Sequence, residues 1–104
     1  MSMEDLRVTL IQAALRWEDP EANRKLFGEK MISLPEPTDL ILLPEMFSTG
    51  FSMQAAALAE DMDGPTVTWM KEMAAAKNCT LCGSVILSDH GNYYNRLIWM
   101  NFGI

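Results

Sequence analysis

At 104 residues the chain holds one domain or part of one. Hydrophobic residues make up 49% and charged residues 21%, which fits a folded core and excludes intrinsic disorder. A net charge of −6 gives no electrostatic footprint for nucleic acid or an anionic membrane surface.

No run of about 18 apolar residues offers a membrane span, and the acidic opening Met1-Ser2-Met3-Glu4-Asp5 lacks a signal-peptide core. The expectation is a cytoplasmic protein with no nucleic-acid or membrane partner.

Leu6 to Ala13 alternates and is rich in branched residues, which predicts a first strand. Asp19-Pro20 is a helix start, with a capping carboxylate followed by proline at the first helical position. Leu26, Phe27, Met31 and Ile32 recur at helical spacing, and Arg24, Lys25, Glu29 and Lys30 take the other face. Pro35-Glu36-Pro37 ends this helix, because a residue before proline avoids the helical region.

Leu40-Ile41-Leu42-Leu43 is an unbroken apolar run and predicts a strand buried on both faces. Strand, helix, strand is a βαβ unit with parallel pairing. Pro44 has no N–H to give a ladder and stops the strand. Glu45 is therefore delivered at the carboxyl end of a core strand, where open α/β sheets place ligands and chemistry. In a generic sequence such a glutamate turns out to solvent, since burying it unpaired is costly.

Met46 to Met53 reads as irregular, with Gly50 at a positive φ. Ala55 to Ala59 predicts a short helix. The cluster Glu60-Asp61-Met62-Asp63 lacks the spacing of a calcium loop and reads as a solvated turn. Gly64-Pro65-Thr66 opens the next helix, with Val67, Met70, Met73 and Ala74 as its apolar stripe and Asn78 as a left-handed stop.

Cys79 to Leu87 predicts another buried strand. Its Cys79-x-x-Cys82 string invites a redox or zinc reading, but residues three apart on a strand point to opposite faces. Buried, reduced thiols are expected, with no metal. Ser88 to Asn92 is a hairpin loop, and Tyr93 to Met100 the antiparallel return strand, on which a buried Arg96 needs a partner.

Four strings in order carry a family resemblance. They are Leu6-Arg7-Val8-Thr9-Leu10-Ile11-Gln12, then Leu43-Pro44-Glu45-Met46-Phe47 with Thr49-Gly50-Phe51 and Met53, then Gly83-Ser84-Val85-Ile86, then Tyr93-Tyr94-Asn95-Arg96-Leu97. Together they resemble the N-terminal part of the nitrilase superfamily, the carbon–nitrogen hydrolases, in its ω-amidase-like branch. The end of the chain departs from the pattern, with Asn101-Phe102-Gly103-Ile104 where relatives more often carry a turn such as Asn-Pro-Asp-Gly.

The resemblance implies an α/β fold, a nitrilase-like αββα sandwich. Residues 1–104 would supply its N-terminal part, about four strands of a mixed sheet and two to three helices. It implies a Glu-Lys-Cys acyl-enzyme mechanism in which Glu45 is the general base. The family's Lys and Cys fall beyond Ile104, so the chain alone is expected to be inactive. Phe47, Phe51 and Met53 become candidates for lining a substrate pocket, with core packing as the competing role. The implied substrate is a small amide of a dicarboxylic acid, with no cofactor. The uncovered part of the sandwich implies a homo-oligomer. Two other readings stand beside this one: a truncated, non-catalytic chain acting as an oligomerising or interaction module, and an unrelated small α/β binding domain with a structural Glu45.

Overall fold

The computed structural model describes residues 5–35 and 37–102. The elements in order are β1 (Val8–Leu10), α1 (Pro20–Ile32), β2 (Leu40–Leu42), α2 (Ala55–Leu58), α3 (Pro65–Lys77), β3 (Thr80–Asp89) and β4 (Asn92–Met100). The strands form one mixed sheet in the order β1-β2-β3-β4, with β1, β2 and β3 parallel and β4 antiparallel to β3. The α/β architecture is as expected; β1 is shorter than the Leu6–Ala13 segment that sequence alternation predicts.

Local chemistry sets the helix ends. The Asp19 side chain accepts the Ala22 N–H at 3.1 Å, and Pro20 occupies the first turn. Asn78 stops α3 with φ 50°, a left-handed cap that a short polar side chain tolerates. The β3–β4 hairpin closes through His90 and Gly91, both at positive φ, the requirement of a two-residue turn that matches strand twist.

Both long helices pack on one face of the sheet. Phe27 and Met31 from α1, and Val67, Met70, Met73 and Ala74 from α3, bury against Ile41, Leu81, Val85, Leu87 and Ile98. The strand register places Leu10, Leu42, Cys82 and Trp99 in one row on the opposite face. There Leu10 is 67% and Trp99 57% exposed. This corrects the reading of β2 as buried on both faces: Ile41 is buried, whereas Leu40 and Leu42 are only partly covered.

The acidic cluster is corrected as well. Asp61 and Asp63 are exposed, but Glu60 is held inside a network and is not part of a solvated turn. Its carboxylate accepts Thr66 N–H and Thr66 Oγ, each at 2.7 Å, and lies 3.7 Å from the Arg24 guanidinium. Arg24 also reaches Thr66 Oγ at 2.9 Å. These bonds join α1, the first turn of α3 and the strand edge. The Glu60 backbone bridges β3, donating to Ile86 O at 3.2 Å and accepting from Ser88 N–H at 2.8 Å. Since β4 occupies the other edge of β3, Glu60 sits in line with β2. The segment from Pro44 to Ala59 is thus an excursion whose two ends are tied to the same strand edge.

Arg96 is not buried, its side chain being 36% exposed. It lies 3.5 Å from Asp89 and 5.1 Å from the Tyr94 ring centre. Among the described residues, no helix is long and apolar enough to cross a membrane.

Candidate active site

The excursion begins at the carboxyl end of β2. Leu43 N–H still donates to Cys82 O at 2.8 Å, so the chain stays on the sheet until Pro44 breaks the ladder. Glu45 then emerges beside an open cleft of about 400 Å³ lined by Leu42, Leu43, Cys82, Ser84, Asn95 and Leu97. Asn95 donates to Glu45 Oε2 at 2.8 Å. The other carboxylate oxygen has no partner among the described residues. Met46 turns left-handed at φ 50°, and its N–H donates to Ser84 Oγ at 2.8 Å.

Two residues after Glu45, Phe47 enters the helix-side core and is fully buried. Its ring meets Phe27 edge-on at 5.8 Å and tilts against Trp69 at 5.7 Å. The turn therefore divides the chain: the carboxylate faces the cleft while the neighbouring aromatic anchors the backbone.

The rest of the excursion is buttressed from the first turns of α1 and the loop that precedes it. The fully buried Asn23 accepts Arg16 N–H and donates to Arg16 O and Ser48 O, each at 2.8 Å. Glu18 N–H donates to Thr49 O at 2.9 Å, and the Ser52 hydroxyl bonds the Glu18 carboxylate. Gly50 has φ 78°, and a Cβ there would stand 3.0 Å from the Trp17 ring, so this site favours glycine twice over.

Of the residues singled out from sequence, Glu45 reaches the cleft and the three apolar candidates do not line it. Phe47 is a core residue. Phe51 is 65% and Met53 94% exposed, out on the excursion. Their apolar character alone does not decide between pocket, core and surface. Asn95, Ser84 and Asn23 carry the geometry of the Glu45 turn, and sequence reasoning gave none of them a role. Hairpin counting offered a signal: pairing Asp89 with Asn92 places Ser84 opposite Leu97 and Ile86 opposite Asn95, all on the cleft face.

Cys79 and Cys82 are both free and buried. Burial pushes both thiols up, and for Cys79 it outweighs the opposing attraction of Lys77. A nucleophilic cysteine needs the reverse, a thiolate favoured by its surroundings. Cys82 lines the cleft but remains a protonated, apolar wall.

A mixed α/β sheet with a carboxylate set at the carboxyl end of an inner parallel strand defines a protein class in which that edge carries the chemistry. The model of the carbon-nitrogen hydrolase family matches residues 7–102, and the chain belongs to that family. It is 38% identical over 103 residues to the omega-amidase YafV of Escherichia coli K12, covering 97% of this chain and 39% of that protein. With the omega-amidase YafV of Yersinia enterocolitica it shares 36% over 98 residues, covering 92% and 37%. Among solved structures, the CN-hydrolase superfamily protein XC1258 of Xanthomonas campestris superimposes with a TM-score of 0.90 at 44% identity, covering 95% of this chain and 37% of that one. Nit3 of Saccharomyces cerevisiae, of the nitrilase superfamily, shares the fold at a TM-score of 0.75 and 24% identity, covering 92% and 40%. The chain spans about 39% of the length of the curated relatives it matches.

Proposed function

We propose that these residues are the N-terminal part of an amidase that hydrolyses small monoamides of dicarboxylic acids, with Glu45 as its general base. The observation that carries this reading is the placement of the Glu45 carboxylate. It stands at the carboxyl end of β2, at the mouth of an open cleft of about 400 Å³, with one oxygen held and the other unpartnered. A cleft of that size with apolar walls and few polar groups suits a small organic substrate. The similarity to the two omega-amidases supports the substrate class.

In this reading the nucleophilic cysteine and the lysine come from outside these residues. The thiol gives its proton to Glu45 and its sulfur attacks the amide carbonyl. The lysine offsets the negative charge that develops on the carbonyl oxygen. The tetrahedral intermediate collapses to a thioester as Glu45 hands the proton to the departing ammonia. Glu45 then takes a proton from water, whose oxygen attacks the thioester and releases the acid, and the thiol recovers its proton.

The test replaces the corresponding segment of the E. coli relative with residues 7–102 and compares the chimera with its Glu45→Gln form. The variant should fold alike and lose about 10²–10⁴ of turnover, the usual share of a general base. Near-normal turnover overturns the assignment. The 104-residue chain by itself should show no amide hydrolysis.

A second reading concerns the chain on its own. The sheet face away from the helices exposes Val8, Leu10, Leu97 and Trp99. Exposed apolar patches of this kind mark contact surfaces. We propose that a second copy of the chain covers this face. Sedimentation velocity should show a dimer that Trp99→Lys dissociates; a monomer at all concentrations overturns this reading.

A further inference from the structure

Glu45 is held from two neighbouring strands. Asn95 on β4 donates Nδ2–H to Glu45 Oε2 at 2.8 Å. Ser84 on β3 accepts the N–H of Met46, the residue after Glu45, also at 2.8 Å. Ser84 pairs with Leu97 and Ile86 with Asn95, so both polar side chains stand on the cleft face of the hairpin. Met46 is at φ 50°, a conformation a non-glycine residue keeps only when its surroundings hold it there. Ser84 supplies one such hold, and the Met46 carbonyl supplies others by accepting Thr49 N–H at 3.2 Å and Gly50 N–H at 2.8 Å.

We propose that Asn95 and Ser84 are positioning residues for Glu45, Asn95 fixing the carboxylate plane and Ser84 fixing the peptide that presents it. This deepens the amidase reading and rests on it. A carboxylate at an exposed strand end rotates freely unless a donor fixes one oxygen. With Oε2 occupied by Asn95, the oxygen left to accept the thiol proton is Oε1. A neutral amide suits this task, since it orients a base without adding a cation that would weaken its hold on a proton. An amide side chain also has no titration of its own near neutral pH, so the orientation persists across the working range.

Two measurements test the proposal. On the 104-residue chain, the Asn95 side-chain amide resonances should shift in Glu45→Ala, which removes the carboxylate that accepts its Nδ2–H. An Asn95 amide indifferent to Glu45→Ala overturns the contact. In the chimera with the E. coli relative, Asn95→Ala should lower kcat about 10- to 100-fold with KM nearly unchanged, the signature of a misplaced group. Asn95→Asp sets a second carboxylate against the first and should move the acid limb of the rate profile to higher pH. Ser84→Ala should lower kcat, and Ser84→Thr, which keeps the acceptor oxygen, should restore it. Retained turnover in Glu45→Gln overturns the amidase reading itself. Loss in Glu45→Gln, together with Asn95 variants that match the parent in kcat and acid limb, overturns the positioning role alone.

Discussion

Gly83 and Phe47 occupy one space. A Cβ built on Gly83 would stand 2.9 Å from Phe47 Cδ1 and 3.2 Å from Leu43 Cβ. The glycine on β3 is thus the hole into which the aromatic two residues after Glu45 fits. Gly83→Ala should push the Phe47 ring off Phe27 and Trp69 and drag the Glu45 turn with it. The expected loss is about 1–3 kcal/mol, the usual cost of overfilling a packed core. Urea unfolding of the chain reads it out; an unchanged midpoint would show that Phe47 has somewhere else to go. Phe47→Ala, which empties the same hole, should cost more, about 3–5 kcal/mol.

Asn23 and Ser48 make a contrasting pair on the buttress side of the turn. The Asn23 amide satisfies Arg16 N–H, Arg16 O and Ser48 O from inside the core. Removing it strands the buried Ser48 carbonyl, at about 1–3 kcal/mol, and unties the part-buried Arg16 N–H and carbonyl, which water can partly satisfy. The Ser48 hydroxyl is buried with no partner among the described residues. Ser48→Ala should therefore be neutral or slightly stabilising, because it deletes a desolvated group that returns nothing. Thermal melts of Asn23→Ala and Ser48→Ala should move in different directions or by very different amounts. Equal losses would contradict the hydrogen-bond assignment.

The balance of what was legible follows from range. The bounds of α1 were open to reading because Asp19, Pro20 and Pro35 act within a turn of the helix. The carboxyl-end placement of Glu45 followed from Pro44 in the same local way. Leu40 to Leu43 misled about burial, since an apolar run looks the same whether one face or both are covered. Glu60 misled because its partner Arg24 lies far back in sequence, and an acidic cluster does not announce which carboxylate is paired. Phe47, Phe51 and Met53 shared one apolar signature but took core and surface places. Only Gly83, on another strand, distinguishes the first of them.

Arg7 and Asp39 clip β1 to the entry of β2. The Asp39 carboxylate accepts Arg7 N–H at 2.8 Å and faces the guanidinium at 3.2 Å. The bond to the Arg7 side chain, then that to its backbone N–H, hold the Asp39 carboxyl below its usual range. A depressed carboxyl stabilises the fold above its unfolded value, near 3.9, and loses that contribution as pH falls through the folded value. The difference in urea midpoint between the parent and Asp39→Asn should therefore be present at neutral pH and shrink below about pH 4. Added salt should shrink it too, since the pair is exposed. A difference constant from neutral pH to strong acid would show that the clip acts through shape rather than charge.

Cys79 and Cys82 give the opposite slope. Burial raises both thiols, so the folded chain favours their protonated form. Their contribution to stability is complete below the ordinary thiol value, about 8.5, and is lost as pH rises from there toward the folded value. Iodoacetamide, which needs thiolate and access, should label the native chain slowly at neutral pH and quickly once urea unfolds it. The two sites should also separate. Cys82 is 6% exposed and lines the cleft, whereas Cys79 is 1% exposed and sits in the helix-side core. Mass mapping of partly labelled protein should find Cys82 modified first. Rapid stoichiometric labelling of both in the native chain would mean that the sheet opens at the Thr80 end of β3, far more readily than its paired register with β2 and β4 implies.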